Sequence, residues 1–253
     1  MPILDSLLEV VADNAAAADP VDLCIGAHWT VAAVKLKGKV RAGLSSTLHG
    51  GDDDHHHGKR PPVQDAGHLL EKRVGEWAAL ARSESVLEAS IGLATINALL
   101  EVNVEESEAV NALDVIVERG RGKRVAVVGH FPFTPRMREA AEQLWVLELH
   151  PGEGDVPAAR APEIIPQADV VALTGTSLLN HTFDDLAALC RPEAFVVVLG
   201  GTTPLSELLF DVGVDAVAGT RVVDPQAALR SASQGATFKQ LEGKALLTLF
   251  RKR

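Results

Sequence analysis

The sequence predicts an α/β protein in two parts, a small α+β unit over residues 1–118 and a parallel-sheet unit over residues 119–253. Three observations carry this. From Arg124 onward, short apolar runs rich in β-branched residues alternate with helical patterns, the grammar of βα units. Before about residue 120 strands come first and helices follow, without alternation. Two of the later apolar runs break directly into Thr174-Gly175-Thr176-Ser177 and Gly200-Gly201-Thr202-Thr203-Pro204, as buried parallel strands feeding loops do.

Residues 1–17 place Ile3, Leu4, Leu7, Leu8, Val11 and Ala15 at helical spacing. Strands are expected at 21–25, 29–37 and 40–45, the last two joined by a hairpin turn at Gly38-Lys39. Helices follow at 66–82 and 86–100, the second carrying Ile91, Leu93, Ile96 and Leu99. A helix through Val117 leads into the loop Arg119-Gly120-Arg121-Gly122-Lys123. The second part then reads as strand 124–128, helix 137–144, strand 145–149, a proline-rich link, strand 170–174, helix 183–190, strand 195–199, helix 205–212 and strand 216–218. A closing strand or hairpin is expected in 238–250, around Glu242-Gly243. Such βα units make a parallel, Rossmann-like sheet.

Composition bounds the function. With 253 residues and 47% hydrophobic content, the chain buries a substantial core and is not disordered. No apolar run reaches the roughly 18–20 residues that span a bilayer, so no membrane partner is expected. The amino-terminal stretch up to Pro20 holds acids and no Lys or Arg, unlike a secretory signal or transit peptide. Cys24 and Cys190 do not make a disulfide framework, and a reducing cytoplasm is the expected setting. A formal charge of −10 disfavours nucleic acid, and Arg251-Lys252-Arg253 is too short to reverse it.

Ligands of open α/β sheets sit outside the carboxyl ends of the strands. Gly175, Thr176, Gly201, Thr202 and Thr203, with Asn180 a little further on, are therefore candidates for a pocket of backbone N–H groups and small donors. The same residue types also serve ordinary turns. Gly175 and Gly201 are read as letting the backbone approach a ligand, and Thr202-Thr203-Pro204 as a helix cap able to hold an anion. Gly129-His130-Phe131-Pro132 stands where a dinucleotide site needs G-x-G-x-x-G, so neither NAD nor FAD is expected, although Glu148 falls at about the ribose-binding distance along the chain.

Glu148, His130 and His28 supply a carboxylate and imidazoles, a set suited to a divalent transition metal such as zinc, nickel or iron, and His150 lies close by in sequence. Each His taken alone is as readily an ordinary strand or turn residue. The run Asp52-Asp53-Asp54-His55-His56-His57 would bind metal as a peptide, helped by His49 or His68; a solvated loop with adventitious affinity is the expectation. Ser177, Ser206 and Cys190 lack any nucleophile signature, and G-x-S-x-G is absent.

Further motifs run through both parts. They are Ile25-Gly26-Ala27-His28-Trp29-Thr30, Ile91-Gly92-Leu93-Ala94-Thr95-Ile96-Asn97-Ala98, Val127-Val128-Gly129-His130-Phe131-Pro132, Glu148-Leu149-His150-Pro151, Thr174-Gly175-Thr176-Ser177-Leu178-Leu179-Asn180 and Gly201-Thr202-Thr203-Pro204-Leu205, then Phe210, Gly213 and Asp224-Pro225. In this order the chain resembles the bacterial and archaeal family described as putative heavy-metal chelation proteins. The resemblance implies an enolase N-terminal-like domain followed by a Rossmann-like domain, with a site in the cleft between them. It also implies that Asn97, from the small domain, faces Glu148 and Asn180. The loop 49–58 departs from the family pattern by its length and its ligand-type side chains. Two functions stay open: binding a metal ion or metal complex, or catalysis on a small anionic metabolite, with or without the help of a metal, with Glu148 or His130 as acid or base. The partner is accordingly a small anionic molecule or a metal complex, bound by a monomer or a homo-oligomer.

Overall fold

The computed structural model describes residues 2–48, 61–102 and 112–252. The first expected helix is two, α1 (Ile3–Val10) and α2 (Ala12–Ala17), which meet at Val11. Ile3, Leu4, Leu7, Val11 and Ala15 are buried, the stripe their spacing predicts. β1 (Asp19–Ile25), β2 (Trp29–Leu36) and β3 (Lys39–Ser46) form an antiparallel sheet with β2 in the centre. The β2–β3 turn is Lys37-Gly38, one residue earlier than expected. Both residues are left-handed (φ 52 and 76), which a two-residue type I′ hairpin requires and Gly supplies without strain.

Residues 66–82 are not one helix. Left-handed Asp65 and Gly67 and extended Arg73 interrupt the pattern, leaving α3 (Val74–Ala79) between short 3₁₀ turns at Leu69–Glu71 and Leu80–Arg82. Trp77 Nε1 donates to the Leu69 carbonyl at 2.8 Å and fixes that fold-back. α4 (Val86–Leu99), capped by Ser85, is apolar nearly all round and correspondingly buried.

The larger sheet follows. Its elements are α5 (Ala112–Gly120), β4 (Arg124–Val128), α6 (Thr134–Ala140), β5 (Gln143–Glu148), β6 (Val156–Pro157), α7 (Ala161–Ile164), β7 (Val170–Thr174), α8 (Phe183–Ala188), β8 (Phe195–Leu199), α9 (Leu208–Asp211), β9 (Ala216–Val222), α10 (Pro225–Ser233) and β10 (Lys244–Phe250). Across the sheet the order is β10-β9-β8-β7-β4-β5-β6, with only the β9–β10 pair antiparallel. The five main parallel strands thus run 2-1-3-4-5, and the switch point lies between β4 and β7. Val125, Val127, Val170 and Ala172 pack with Ile116 and Val117 of α5 and Met137 of α6 on one face, while Ala126, Val171 and Leu173 join the other core. The expected division after residue 118 falls inside α5, whose Ile116 and Val117 belong to the larger sheet's core.

Further local expectations differ from the structure: the helix expected at 137–144 is α6, which ends at Ala140, and β5 begins at Gln143 rather than 145. α10 was not foreseen, although Asp224 caps it through the Gln226 and Ala227 amides and Pro225 opens it. β9 extends past Gly219 because β10 pairs along its full length. The helix expected from 205 begins only at Leu208, since the loop before it is tied elsewhere.

The small sheet lies over the strand ends of the large one. Ala32, Val34 and Leu36 of β2 pack in the core that includes α4, and Val31 and Ala33 pack with Ala228 and Ala232 of α10. Covered on both faces, β2 reads as a nearly continuous apolar run. Ile3 N donates to Asp184 Oδ1 at 3.0 Å, and His181, left-handed at φ 58, is 3.0 Å from the Ala81 carbonyl through Nε2. At the opposite, amino-terminal end of the sheet, Asp169 accepts from Arg124 N, Nε and NH2 and from Arg191 NH2 at 2.7–3.2 Å.

Candidate functional site at the strand ends

A cleft of ≈ 740 Å³ opens at the carboxyl ends of β4, β5, β7, β8 and β9, across the switch point and beneath the small sheet. Its size and position are those of a small-molecule site in an open α/β fold. Its walls are strongly apolar: Trp29, Phe131, Leu147, Leu199, Phe238 and Leu246 among others. Its polar groups include His130 and Glu148 at one end, Thr174, Thr176, Ser177, Asn180 and Thr182 in the middle, and Ser46, Thr202, Thr220 and Thr248 toward the other. Neither Lys nor Arg is among the described lining residues.

Glu148 ends β5, and His130 stands in the loop after the adjacent β4, which is why the two meet. His130 Nδ1 is 3.0 Å from Glu148 Oε1, and Nε2 is 3.4 Å from Asp155 Oδ1. The Asp155 side chain is only 5% exposed and accepts from Gly152 N at 2.8 Å, whereas the His130 side chain is 57% exposed. A buried acid therefore orients an open imidazole from behind, with Glu148 beside it. Asp155 lies in a Gly- and Pro-rich turn, Pro151-Gly152-Glu153-Gly154-Asp155, whose composition signals only a loop.

The loop after β7 folds as a 3₁₀ turn over Gly175–Leu178, capped by Thr174 Oγ1, which accepts from Thr176 N at 3.3 Å. Asn180 Oδ1 accepts from Thr182 N and Oγ1, which leaves its Nδ2 group for the cleft. The missing Cβ of Gly175 makes room for Thr203: an added Cβ would lie 2.4 Å from Thr203 Oγ1 and 2.7 Å from its N. At Gly201 an added Cβ would meet the Trp29 ring at 2.7 Å. Both glycines line the cleft, and the space left by each missing Cβ is taken by protein atoms.

Thr202 and Thr203 do not cap a helix. Thr202 Oγ1 accepts from Ser46 N at 3.0 Å and donates to Ser46 Oγ at 2.9 Å, joining β3 to the loop after β8. Thr203 is buried against Gly175 and does not line the cleft. Asn97 is likewise not at the cleft wall and does not face Glu148. Its Nδ2 donates to the carbonyls of Leu44 (2.9 Å) and Thr202 (3.0 Å), so it latches α4 to both sheets. His28 and His150 are exposed and do not line the cleft, so the trio Glu148, His130 and His28 is not assembled. Among the described residues no three His, Cys, Asp or Glu side chains form a group that could hold an ion. His49 and the run 52–57 lie outside the described residues, and His68 is exposed and paired with Glu71. Burial pushes the Cys190 thiol up to about 12, in keeping with a packing role.

Two family models described as putative heavy-metal chelation match the chain, one over residues 111–251 and the other over residues 9–100. The chain belongs to the family that these models describe. A protein of Methanocaldococcus jannaschii, itself described as uncharacterized, is 25% identical over 229 residues, spanning 87% of this chain and 86% of that one. Two crystal structures share the fold. One, a protein of unknown function from Pyrococcus horikoshii, has a TM-score of 0.83 at 19% identity, covering 98% of this chain and 100% of that one. The other, from Desulfitobacterium hafniense and likewise of unknown function, has a TM-score of 0.76 at 24% identity over the same shares. The sequence reading did not single out Trp29, Phe238 and Thr220, which line the cleft, or Asp155, which lies behind His130. Only the packing of β2 and of the segment after α10 over the strand ends brings Trp29 and Phe238 to one cleft.

Proposed function

We propose that the cleft binds a heavy-metal ion as the complex of a small organic chelator, the protein supplying few donors and the chelator the rest. The observation that carries this is the combination of a largely apolar, ring-lined cleft with a single exposed imidazole–carboxylate pair. Two side chains cannot complete the shell of a zinc-like ion, which takes four ligands in a closed site. His130 and Glu148 are the groups that would meet the metal; imidazole must present a free nitrogen to do so, hence one of its carboxylate contacts must yield. The loops after β7 and β8 and the apolar walls would hold the organic part. The family description supports a metal as the cargo.

Acid–base catalysis on a small anionic metabolite is favoured by one feature, the imidazole set between two carboxylates. Against it stands the lack of any Lys or Arg among the described lining residues to hold an anion.

The test is equilibrium dialysis of the full chain against zinc alone and against the neutral 1:1 zinc–iminodiacetate complex. Retention of the complex near one equivalent, lost in His130→Ala and Glu148→Gln, is the expected result. If metal is retained equally by the His130→Ala/Glu148→Gln double variant, and is lost only when His55, His56 and His57 are replaced, the cargo is not held in the cleft.

A further inference from the structure

Resting on that reading, we propose that the β8–β9 end of the cleft is a subsite for a planar ring of the chelator, one carrying hydrogen-bond acceptors on its edge. The first observation is the wall. Trp29 and Phe238 face one another with ring centroids 5.1 Å apart at 44°, and Lys244 Nζ lies 5.0 Å from the Phe238 centroid. Gly201 forms the floor, and only the absence of a Cβ lets the Trp29 ring settle on it. Such a surface of fixed rings accepts the face or edge of another ring.

The second observation is independent of the first. Among the described residues Trp29 Nε1 and Thr220 Oγ1 are buried without a hydrogen-bond partner, and both residues line this end of the cleft, 9% and 5% exposed. The other orphaned atoms, on Ser45, Asn97, Thr134, Arg191 and Thr203, belong to residues off the cleft wall. An indole N–H can only donate, so its partner must be an acceptor; the threonine hydroxyl serves either way. Buried donors left unpaired are costly, and a ligand that satisfies them gains that difference on binding. A ring with carboxylate or carbonyl oxygens at its edge has the required chemistry. The metal bound to it would lie toward His130 and Glu148.

The probes are two neutral 1:1 zinc complexes with the same donor set, one nitrogen and two carboxylates. Pyridine-2,6-dicarboxylate is planar; iminodiacetate has no ring. By isothermal titration calorimetry the full-length protein is expected to bind the planar complex about tenfold more tightly, because both complexes carry two carboxylates and only the rigid ring packs on the wall and holds them against the two donors. Thr220→Val, which keeps the shape, and Trp29→Phe, which keeps a ring, should each reduce that preference to about threefold or less. Equal binding of the two complexes by wild type, or a preference that survives in both variants, overturns the subsite while leaving the cleft reading intact. Failure to bind either complex overturns the cleft reading and the subsite with it.

Discussion

Replacing Asn97 by Ala should loosen the junction between the two sheets, and the size of the effect follows from its contacts. The side-chain amide donates to Leu44 O and Thr202 O at 2.9 and 3.0 Å, and both bonds vanish together. Each is worth about 1 kcal/mol net, and two part-buried carbonyls left without this donor add to the loss. Removing Asn97 Oδ1, itself buried without a partner, returns part of it. The sum is about 2–3 kcal/mol. With a urea m-value of about 2–3 kcal/mol/M, the midpoint should fall by about 1 M with m little changed. Asn97→Asp should be worse at neutral pH, because a carboxylate would face two carbonyl oxygens with no donor of its own. Tryptophan fluorescence follows both sheets through Trp29, Trp77 and Trp145. An Asn97→Ala protein with an unchanged midpoint that no longer binds zinc–iminodiacetate would refute the latch and return Asn97 to the ligand.

Gly175→Ala should cost about 1–3 kcal/mol by forcing a Cβ against Thr203 Oγ1 and its amide, read as a lower urea midpoint; unchanged stability with lost binding would mean that the glycine serves a ligand after all. Asp169→Asn tests the clamp at the far end of the sheet. Hydrogen bonds from the Arg124 side chain, then from its N–H and from Arg191, hold the Asp169 carboxyl well below the usual range. A depressed carboxyl contributes stability that is complete above its unfolded value of about 3.9 and is lost as pH falls through the lower folded value. The variant should therefore be less stable by about 1–2 kcal/mol from pH 7 down to pH 5, a figure reduced for partial exposure, with the gap narrowing only below about pH 4. A gap that already closes between pH 7 and 5 would contradict this assignment.

The periodic parts of this chain were legible. Strands β4, β7 and β8 fall where their unbroken apolar runs begin and end, because a strand covered on both faces leaves no room for polar residues. Asp224-Pro225 shows the start of α10 to anyone looking for a cap, since a carboxylate acceptor followed by a residue with no N–H is a local device. The neighbourhood of His130 and Glu148 was legible on the same logic, since the ends of adjacent parallel strands must lie side by side.

What the sequence did not decide was what each small polar residue at those strand ends is used for. Thr202, Thr203, Gly175, Gly201 and Asn97 have the chemistry of ligand contacts, and in the fold their hydroxyl, amide or missing Cβ is largely spent on Ser46, Leu44, Trp29 and one another. Donors and acceptors are satisfied by whatever lies within three ångströms, a matter of tertiary distance that residue type does not encode. The aromatic end of the cleft was hidden for the converse reason. Trp29 and Phe238 stand 209 positions apart along the chain, one opening an apolar strand and the other between Thr237 and Lys239 in a polar segment, and only tertiary packing places their rings side by side.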